Sequence, residues 1–418
     1  MEAAAIVLAA GAGTRMKSKK PKVAHGVLGK PLVRWVVDAA HAAGVTQVAT
    51  VVGHAREQVI PLIEGDTQVV VQEVQNGTAG AVLACADAFA GFDGSLSVLT
   101  GDCPLIKPET IARLAQVRDE NNAAVVVLTM KLDDPTGYGR IIRDADGQVE
   151  RIVEQKDATP EEAAVNECNS GFYCFDARAL FDALAQVSNN NAQGEFYLTD
   201  VLAICRAAGR PVLALPTDDP SECLGVNSRA QLAEATKYAQ RRINDAHLAA
   251  GVTMTDPDQV WIGPDVVIEQ DVELLPQTFL MGSTSVGEDS VIGPNSRLTD
   301  TVVGCGCTIG PNSYLENAKI GDDTNVNSSQ VYNSTVGYDT HIGPFAYIRP
   351  GSTIGSHIRV GDFVEIKNST IADGTKISHL TYVGDSDVGQ NCNFGCGTVT
   401  VNYDRAKKYR TTIGDNAF

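Results

Sequence analysis

The sequence predicts two architectures in one chain: a mostly parallel α/β sheet covered by helices on both faces, followed by a parallel β-helix. Three observations carry this. Up to about Val226, short apolar runs alternate with helical stretches. From Ile262 onward, aliphatic residues recur every six positions. Between the two patterns lies one stretch with helical spacing.

In the first part, apolar runs at residues 4–9, 48–52, 68–71, 97–99 and 124–129 alternate with helical patterns at 32–43 and 109–120. Such alternation gives a parallel sheet whose ligands bind beyond the carboxyl ends of its strands. The first such end is VLAAGAGTRMKS, residues 7–18. Gly11 and Gly13 let backbone N–H groups converge where the strand stops, and Arg15 and Lys17 follow, which suits an anion. Both familiar glycine-rich phosphate loops would need glycine where Met16 stands, so neither is present. Taken alone, the segment also reads as a tight strand-to-helix turn without a ligand. Its place at a strand end favours the phosphate reading.

Ser228 and Gln231 have capping-box spacing, and Leu232, Thr236, Ala239, Ile243 and Ala246 recur at helical intervals as far as Gly251. The series Ile262, Ile268, Leu274, Leu280, Val286, Ile292, Leu298 then resumes, after shortened turns, at Val336, Ile342, Ile348, Ile354, Val360 and Ile366. Glycine often follows the aliphatic residue, and a small residue such as Ser290, Ser296 or Thr340 often comes four places after it. Three hexads make one triangular coil, with aliphatic and small side chains inside and glycine permitting the turns. The expected boundaries are therefore 1–226, a linker helix at 227–250, and a hexapeptide-repeat domain at 251–418. Cys307 and Cys392 fall at the small-residue position and read as structural.

Composition narrows the function classes. A net charge of −18 disfavours a nucleic-acid or anionic-membrane surface, so a phosphate ligand must be small and met by local cations. No long apolar stretch or basic leader is present, and the ten cysteines include no CxxC pair. These features predict a soluble, cytoplasmic protein with reduced thiols, no cysteine-held metal and no membrane or nucleic-acid partner.

Two residues suit phosphate chemistry. Lys22, after Pro21, is the nearest second cation, although Lys17, Lys19, Lys20 and Lys22 also read as a solvated basic run. Asp102, in TGDCP, stands beyond an apolar strand where it could hold a magnesium that bridges substrate phosphates; a turn-forming aspartate would look the same.

Several motifs extend this picture: LAAGAGTRM with PKV, QNGTAGA (75–81), GDCPLI (101–106), DDPTGYGRI (133–141), VEQKDAT (153–159), ECNSGF (167–172), NNNAQGEFYLTD (189–200), GVNSRAQL (225–232) and HLTYVGD. Together they resemble the bacterial bifunctional N-acetylglucosamine-1-phosphate uridyltransferase / glucosamine-1-phosphate acetyltransferase family, over nearly the whole chain. The resemblance implies a Rossmann-like nucleotidyltransferase domain and a left-handed β-helix. It implies that UDP-N-acetylglucosamine for cell-wall precursors is made from UTP, acetyl-CoA and sugar phosphates, with Mg2+.

The resemblance also implies roles. Leu8, Ala9, Gly11 and Gly13 would meet UTP, with Arg15 and Lys22 on its phosphates and Gln72, Gly77 and Thr78 facing uracil. Gly139, Glu154, Asn169 and Asn227 would line the sugar phosphate, with Asn227 joining Asp102 on the metal. Asn227 also reads as a residue flanking the Ser228 cap. A phosphate oxygen of the sugar then attacks the α-phosphorus of UTP and pyrophosphate leaves, without a protein nucleophile.

Acetyl transfer to an amine needs a base with a pKa near neutrality, which points to histidine. His379 lies in the repeats beside Tyr382, with Arg349 and Lys367 on earlier turns, whereas His341 and His357 read as surface residues. The resemblance makes His379 the base, puts Arg349, Lys367, Tyr382 and Asn393 on the sugar phosphate, and puts Cys396, Asn402 and Tyr403 near acetyl-CoA. It implies a homotrimer with acetyltransferase sites shared between neighbouring β-helices.

Departures from the family pattern are Gly80 where histidine is usual, Thr100 where an aromatic residue is usual, and Cys396 where alanine is usual. The chain stops at Phe418 inside a hexad begun at Ile413, while family members continue for further coils and an arm that completes the acetyl-CoA site. The expectation is a truncated chain with an impaired acetyltransferase half. The rival readings are a monofunctional nucleotidyltransferase whose β-helix serves assembly or regulation, and a scaffold without catalysis.

Overall fold

The computed structural model describes residues 3–418, in two compact units that divide between Tyr238 and Ala239. Each unit has its own core. In the first, the strands run in the order Val212–Pro216, Val125–Lys131, Glu167–Asp176, Ser95–Thr100, Ala3–Ala9, Gln47–Val52, Gln68–Val71. All neighbours are parallel except Glu167–Asp176, which is antiparallel to both of its neighbours. A hairpin, Arg140–Arg143 with Val149–Val153, hangs from that strand.

The apolar runs become strands because both faces of the sheet are covered. Ile6, Val51, Val98 and Val127 point into one core cluster, and Val7, Val52, Leu99 and Val126 into the other. Alternate residues thus serve opposite layers, so a doubly covered strand reads as a continuous apolar run. The strand order reverses on either side of Ala3–Ala9: the next two strands lie on one flank and Ser95–Thr100 on the other. A crevice therefore opens beyond the carboxyl ends of Ala3–Ala9 and Ser95–Thr100, the place where such sheets bind ligands.

The helix Arg229–Ala249 follows. The Gln231 side chain accepts from the Asn227 N–H at 3.0 Å, one residue before the expected cap, while the Ser228 hydroxyl accepts from Gln231 N–H at 3.3 Å. At the far end of this helix, buried Gln240 and Asn244 donate to the Val260 carbonyl at 2.7 and 2.9 Å.

The second unit is a left-handed parallel β-helix of three sheets with nine, eight and nine strands, each strand two to four residues long. The hexad positions stack into one apolar column, from Ile262 through Ile366 to Val388. Serine and threonine beside it bond between coils: Cys307 N–H donates to Ser290 Oγ at 3.0 Å, and the Cys307 thiol donates to Gly321 O at 3.2 Å. Glycine serves some of the turns as expected: Gly310 and Gly343, after Ile309 and Ile342, lie at φ 138° and 102°. Many other corners with positive φ fall on Asp and Asn, such as Asp289, Asn295 and Asn317, which tolerate the left-handed region. Other glycines after aliphatic residues are needed for close approach. A Cβ on Gly287 or Gly321 would lie 2.8 or 2.7 Å from the backbone of the next coil.

All ten cysteines are unpaired; eight are buried, and Cys305 and Cys396 are exposed. Among the described residues no helix is long and apolar enough to cross a membrane.

Candidate functional site

The Ala3–Ala9 strand ends into a turn of 3-10 helix at Thr14–Met16, and Gly13 lies at φ 60° against Lys22, where a Cβ would come within 2.5 Å of the lysine's own Cβ. Only glycine allows this approach. A second 3-10 turn, Lys22–Ala24, then presents the lysine. Its Nζ is hydrogen-bonded to the Asp102 carboxylate and reaches Asn227 Oδ1 at 2.9 Å. Three residues from remote parts of the chain therefore share one point at the crevice. Main-chain bonds hold them there: Gly101 N–H donates to Leu8 O, and Val226 N–H to Asp102 O, both at 2.9 Å. Arg15 is exposed on the rim.

Beside this point lies a cavity of about 320 Å³ lined by Leu8, Gly11, Gln72, Gly77 and Thr78, together with Gln75 and Glu195, which sequence reasoning did not select. The Gln72 amide donates to Asn76 Oδ1 and Gly77 O, both at 3.2 Å. Gly77 sits at φ 116° with Phe196 O 2.4 Å from where a Cβ would stand. The unusual Gly80 has a local reason, because a Cβ there would overlap Asn76 Oδ1 at 1.8 Å and displace the group that orients Gln72.

On the other side, Gly139, Glu154 and Asn169 come together. A Cβ on Gly139 would lie 3.5 Å from both the Glu154 carboxylate and Asn169. Asn169 is the last residue paired, with Thr129, before the strand register breaks between Asn169 and Tyr173, as it does at bulges beside functional sites. Its amide donates to Tyr173 Oη at 2.7 Å. Burial pushes the Glu154 carboxyl above its usual range, and a weak bond from the Thr199 hydroxyl at 3.4 Å opposes this.

The donor chemistry fits a magnesium that is held largely by its substrate. Asp102 and Asn227 offer one carboxylate and one amide oxygen to a single cationic point. Among the described residues no cluster of three or more His, Cys, Asp or Glu forms a metal cage. Mg2+ on nucleotide phosphates takes one or two protein oxygens and completes its shell with phosphate and water.

In the second unit the expected residues form two groups. Arg349, Lys367 and Tyr382 share one sheet face: Arg349 bonds Glu365 at 2.7 Å, Glu365 pairs with Tyr382, and Lys367 lies 3.7 Å from Asp385. Asn402 reaches the same Asp385 carboxylate at 2.6 Å. Lys408, also missed from the sequence, stands near Lys367, whose ammonium pushes its pKa down. Two lysines thus meet at Asp385, and Arg349 is held by Glu365 across the face from Tyr382. His379 lies on another sheet, its side chain 63 % exposed, with Nδ1 3.2 Å from Asp362 Oδ1. A bond from Gly397 N–H to Leu380 O puts Cys396 on the adjoining coil. Asn393 lies on the strand beside that of His379 and lines a hollow with Phe394 and Ala417, and Tyr403, bridged to Lys408, is exposed in the loop before the last repeat strand, Thr411–Ile413. The carboxylate partner does not single out His379, since His357 bonds Asp339 at 2.7 Å.

Residues 5–203 match the family model of the MobA-like NTP transferase domain. The bifunctional protein GlmU of Halalkalibacterium halodurans is 47% identical over 414 residues, covering 99% of this chain and 87% of that protein. The chain belongs to the bifunctional GlmU family. The GlmU protein of Brevibacillus brevis is similar at 48% identity, covering 99% of this chain and 86% of that one. A solved UDP-glucose pyrophosphorylase complexed with UDP-glucose aligns at 20% identity and a TM-score of 0.47, over 58% of this chain and 100% of that one. As a GlmU, the chain is a bifunctional transferase of UDP-N-acetylglucosamine synthesis, with uridylyltransferase and acetyltransferase activities.

Proposed function

We propose that uridylyl transfer from UTP to N-acetylglucosamine-1-phosphate runs at the crevice of the first unit, with Lys22, Asp102 and Asn227 as its charge-handling centre. The observation that carries this is the contact of Lys22 with both Asp102 and Asn227 beside a cavity of about 320 Å³. Gln72, Gly77 and Thr78 receive uracil. Uracil's alternating acceptors and donor match a side-chain amide and backbone groups. Leu8, Ala9, Gly11 and Gly13 pack along the nucleotide, and Arg15 and Lys22 meet its phosphates. Gly139, Glu154, Asn169 and Asn227 hold the sugar phosphate, with Glu154 as an acceptor for a sugar hydroxyl.

Mg2+ held by Asp102 and Asn227 would neutralise charge on the phosphates. Lys22, released from Asp102, turns its ammonium to the phosphate oxygens as the sugar phosphate attacks in line and pyrophosphate departs. Catalysis is then positioning and electrostatics, with no protein nucleophile.

For acetyl transfer from acetyl-CoA, the glucosamine-1-phosphate amine attacks the thioester carbonyl while His379, oriented by Asp362, takes the amine proton, and the C–S bond breaks to release coenzyme A as its thiol. Arg349, Lys367, Tyr382 and Asn393 hold the sugar phosphate, while Cys396, Asn402 and Tyr403 lie by the cofactor. The separation of His379 and Asn393 from the Lys367 sheet supports a homotrimer in which neighbouring β-helices complete one site. So does the exposed ladder of Phe345, stacked on Phe363, with Leu380. The buried thiols support a reducing, cytoplasmic setting.

The test is to assay the full chain for pyrophosphate release from UTP and thiol release from acetyl-CoA, with and without a chelator. Both are expected, the first lost on chelation and the second spared. Chelator-resistant pyrophosphate release would overturn the metal reading, and absent thiol release would overturn the His379 site.

A further inference from the structure

Two tethers join the segment carrying Lys22 to the segment carrying Asn227, and the proposed reaction uses only one. The first is Lys22 to Asn227. The second lies one helical turn further on: the His25 ring, 7% exposed, has Nδ1 3.3 Å from Nη1 of Arg229. A guanidinium only donates, so Nδ1 accepts and the proton sits on Nε2. Burial, followed by the charges of Arg229 and Lys20, pushes the His25 pKa down, in keeping with a neutral ring. Its Nε2 is buried with no well-formed hydrogen bond, and a weak contact with the Lys20 main chain only partly opposes the fall.

The contact with Arg229 is therefore the ring's one side-chain hydrogen bond among the described residues, and an apolar side chain of similar size would fill the place without a poorly satisfied donor but would lose that bond. The local main chain makes the ring a lever on Lys22. His25 N–H donates to Lys22 O at 3.1 Å, closing the 3-10 turn, and His25 O accepts from Leu32 N–H at 2.9 Å, anchoring that turn to the next helix. Arg229 is two residues from Asn227 at the start of its helix and is itself exposed. A shift of the ring therefore passes to both Lys22 and Asn227, the two sides of the centre on which phosphates and metal are to be held.

We propose that His25 is a positioning residue for uridylyl transfer: through Arg229 it fixes the distance between Lys22 and Asn227 before substrate arrives. It touches neither substrate nor metal. The inference rests on the uridylyl-transfer reading above, and the wild-type chain's magnesium-dependent pyrophosphate release tests that reading separately.

The experiment compares His25→Leu, His25→Asn, Arg229→Gln and the double variant His25→Leu/Arg229→Gln. All are measured in the full chain for kcat, KM for UTP, magnesium half-saturation and melting midpoint. His25→Leu is expected to lower kcat and raise the magnesium requirement by about tenfold to a hundredfold, the range for outer groups that orient metal ligands. His25→Asn, whose amide oxygen can replace Nδ1 as acceptor, restores most of it. Arg229→Gln, at an exposed position unlike the buried histidine, reproduces the His25→Leu loss with an unchanged melting midpoint. The double variant is no worse than either single one, as coupled residues require. A normal magnesium requirement in His25→Leu or Arg229→Gln, additive losses, or losses that merely follow the melting midpoint would overturn the proposal.

Discussion

The two candidate sites differ in how far a single chain completes them. At the crevice of the first unit, Lys22, Asp102 and Asn227 meet in side-chain contact, with the lysine and aspartate only 15% and 18% exposed. On the β-helix, His379 is an exposed side chain on one sheet while Arg349, Lys367 and Tyr382 share another. The difference follows from architecture. An open α/β sheet folds its loops over its own crevice and makes a concave site from distant segments. A β-helix sets its residues in ladders along its faces, and the hollows there, beside Asn295, Asn317 and Asn393, take in none of His379, Arg349 and Lys367, so enclosure of these residues has to come from something placed beside them.

The comparison is sharpest for Asp102→Asn. Uridylyl transfer is expected to fall by about a thousandfold, the scale of losing several kcal/mol of charge stabilisation at the metal. Its melting curve should be unchanged, and thiol release should be spared. Full uridylyl turnover in this variant would remove the crevice from the mechanism. His379→Ala should lower acetyl transfer by about a hundredfold to ten-thousandfold, the range for a lost general base, and leave pyrophosphate release alone. Equal loss of both activities would contradict two separate sites.

Glu154→Gln tests burial in the first unit. The Glu154 carboxyl is held above its usual range by burial. Below the unfolded-state value both states are protonated and nothing is lost. As pH rises toward and past the folded-state value, the unfolded chain ionises more readily and the native state is penalised. The glutamine variant should therefore melt higher than the parent at pH 8 and equally at pH 4, while its KM for the sugar phosphate rises. A melting advantage that persists at pH 4 would contradict this cause. The smallest effect is expected for Cys307→Ser, which places a hydroxyl where Ser290 already bonds to a neighbouring coil. Because a serine hydroxyl can replace the thiol's bond to Gly321 O, its unfolding free energy should move by less than about 1.5 kcal/mol, the net worth of one hydrogen bond, and a larger loss would mean that the thiol does more than fill the ladder.

Much of this was legible without coordinates because the patterns are local. Hexad spacing placed Ile262 to Ile366 inside the β-helix, and the doubly buried strands announced themselves as apolar runs. The antiparallel strand Glu167–Asp176 and its attached hairpin were not legible, since a strand's direction depends on which neighbours it joins. Gln75, Glu195 and Lys408 escaped notice because each is an ordinary polar residue until the fold brings it to a cavity or to another cation. Asn227 could be read as a cap flank and Lys22 as one lysine of a basic run, and only their contact distinguishes them.

The sequence by itself determined the two architectures, the glycine-bearing turn at the first strand end and the residue types available for phosphate, metal and proton chemistry, because periodicity and composition act over a few residues. Tertiary structure alone decided which of those residues meet. Lys22, Asp102 and Asn227 converge because parallel pairing brings the ends of Ala3–Ala9 and Ser95–Thr100 side by side and the Asp102–Val226 main-chain bond draws in the third segment. His379 and Lys367 stay on separate sheets because each triangular coil turns a corner between them.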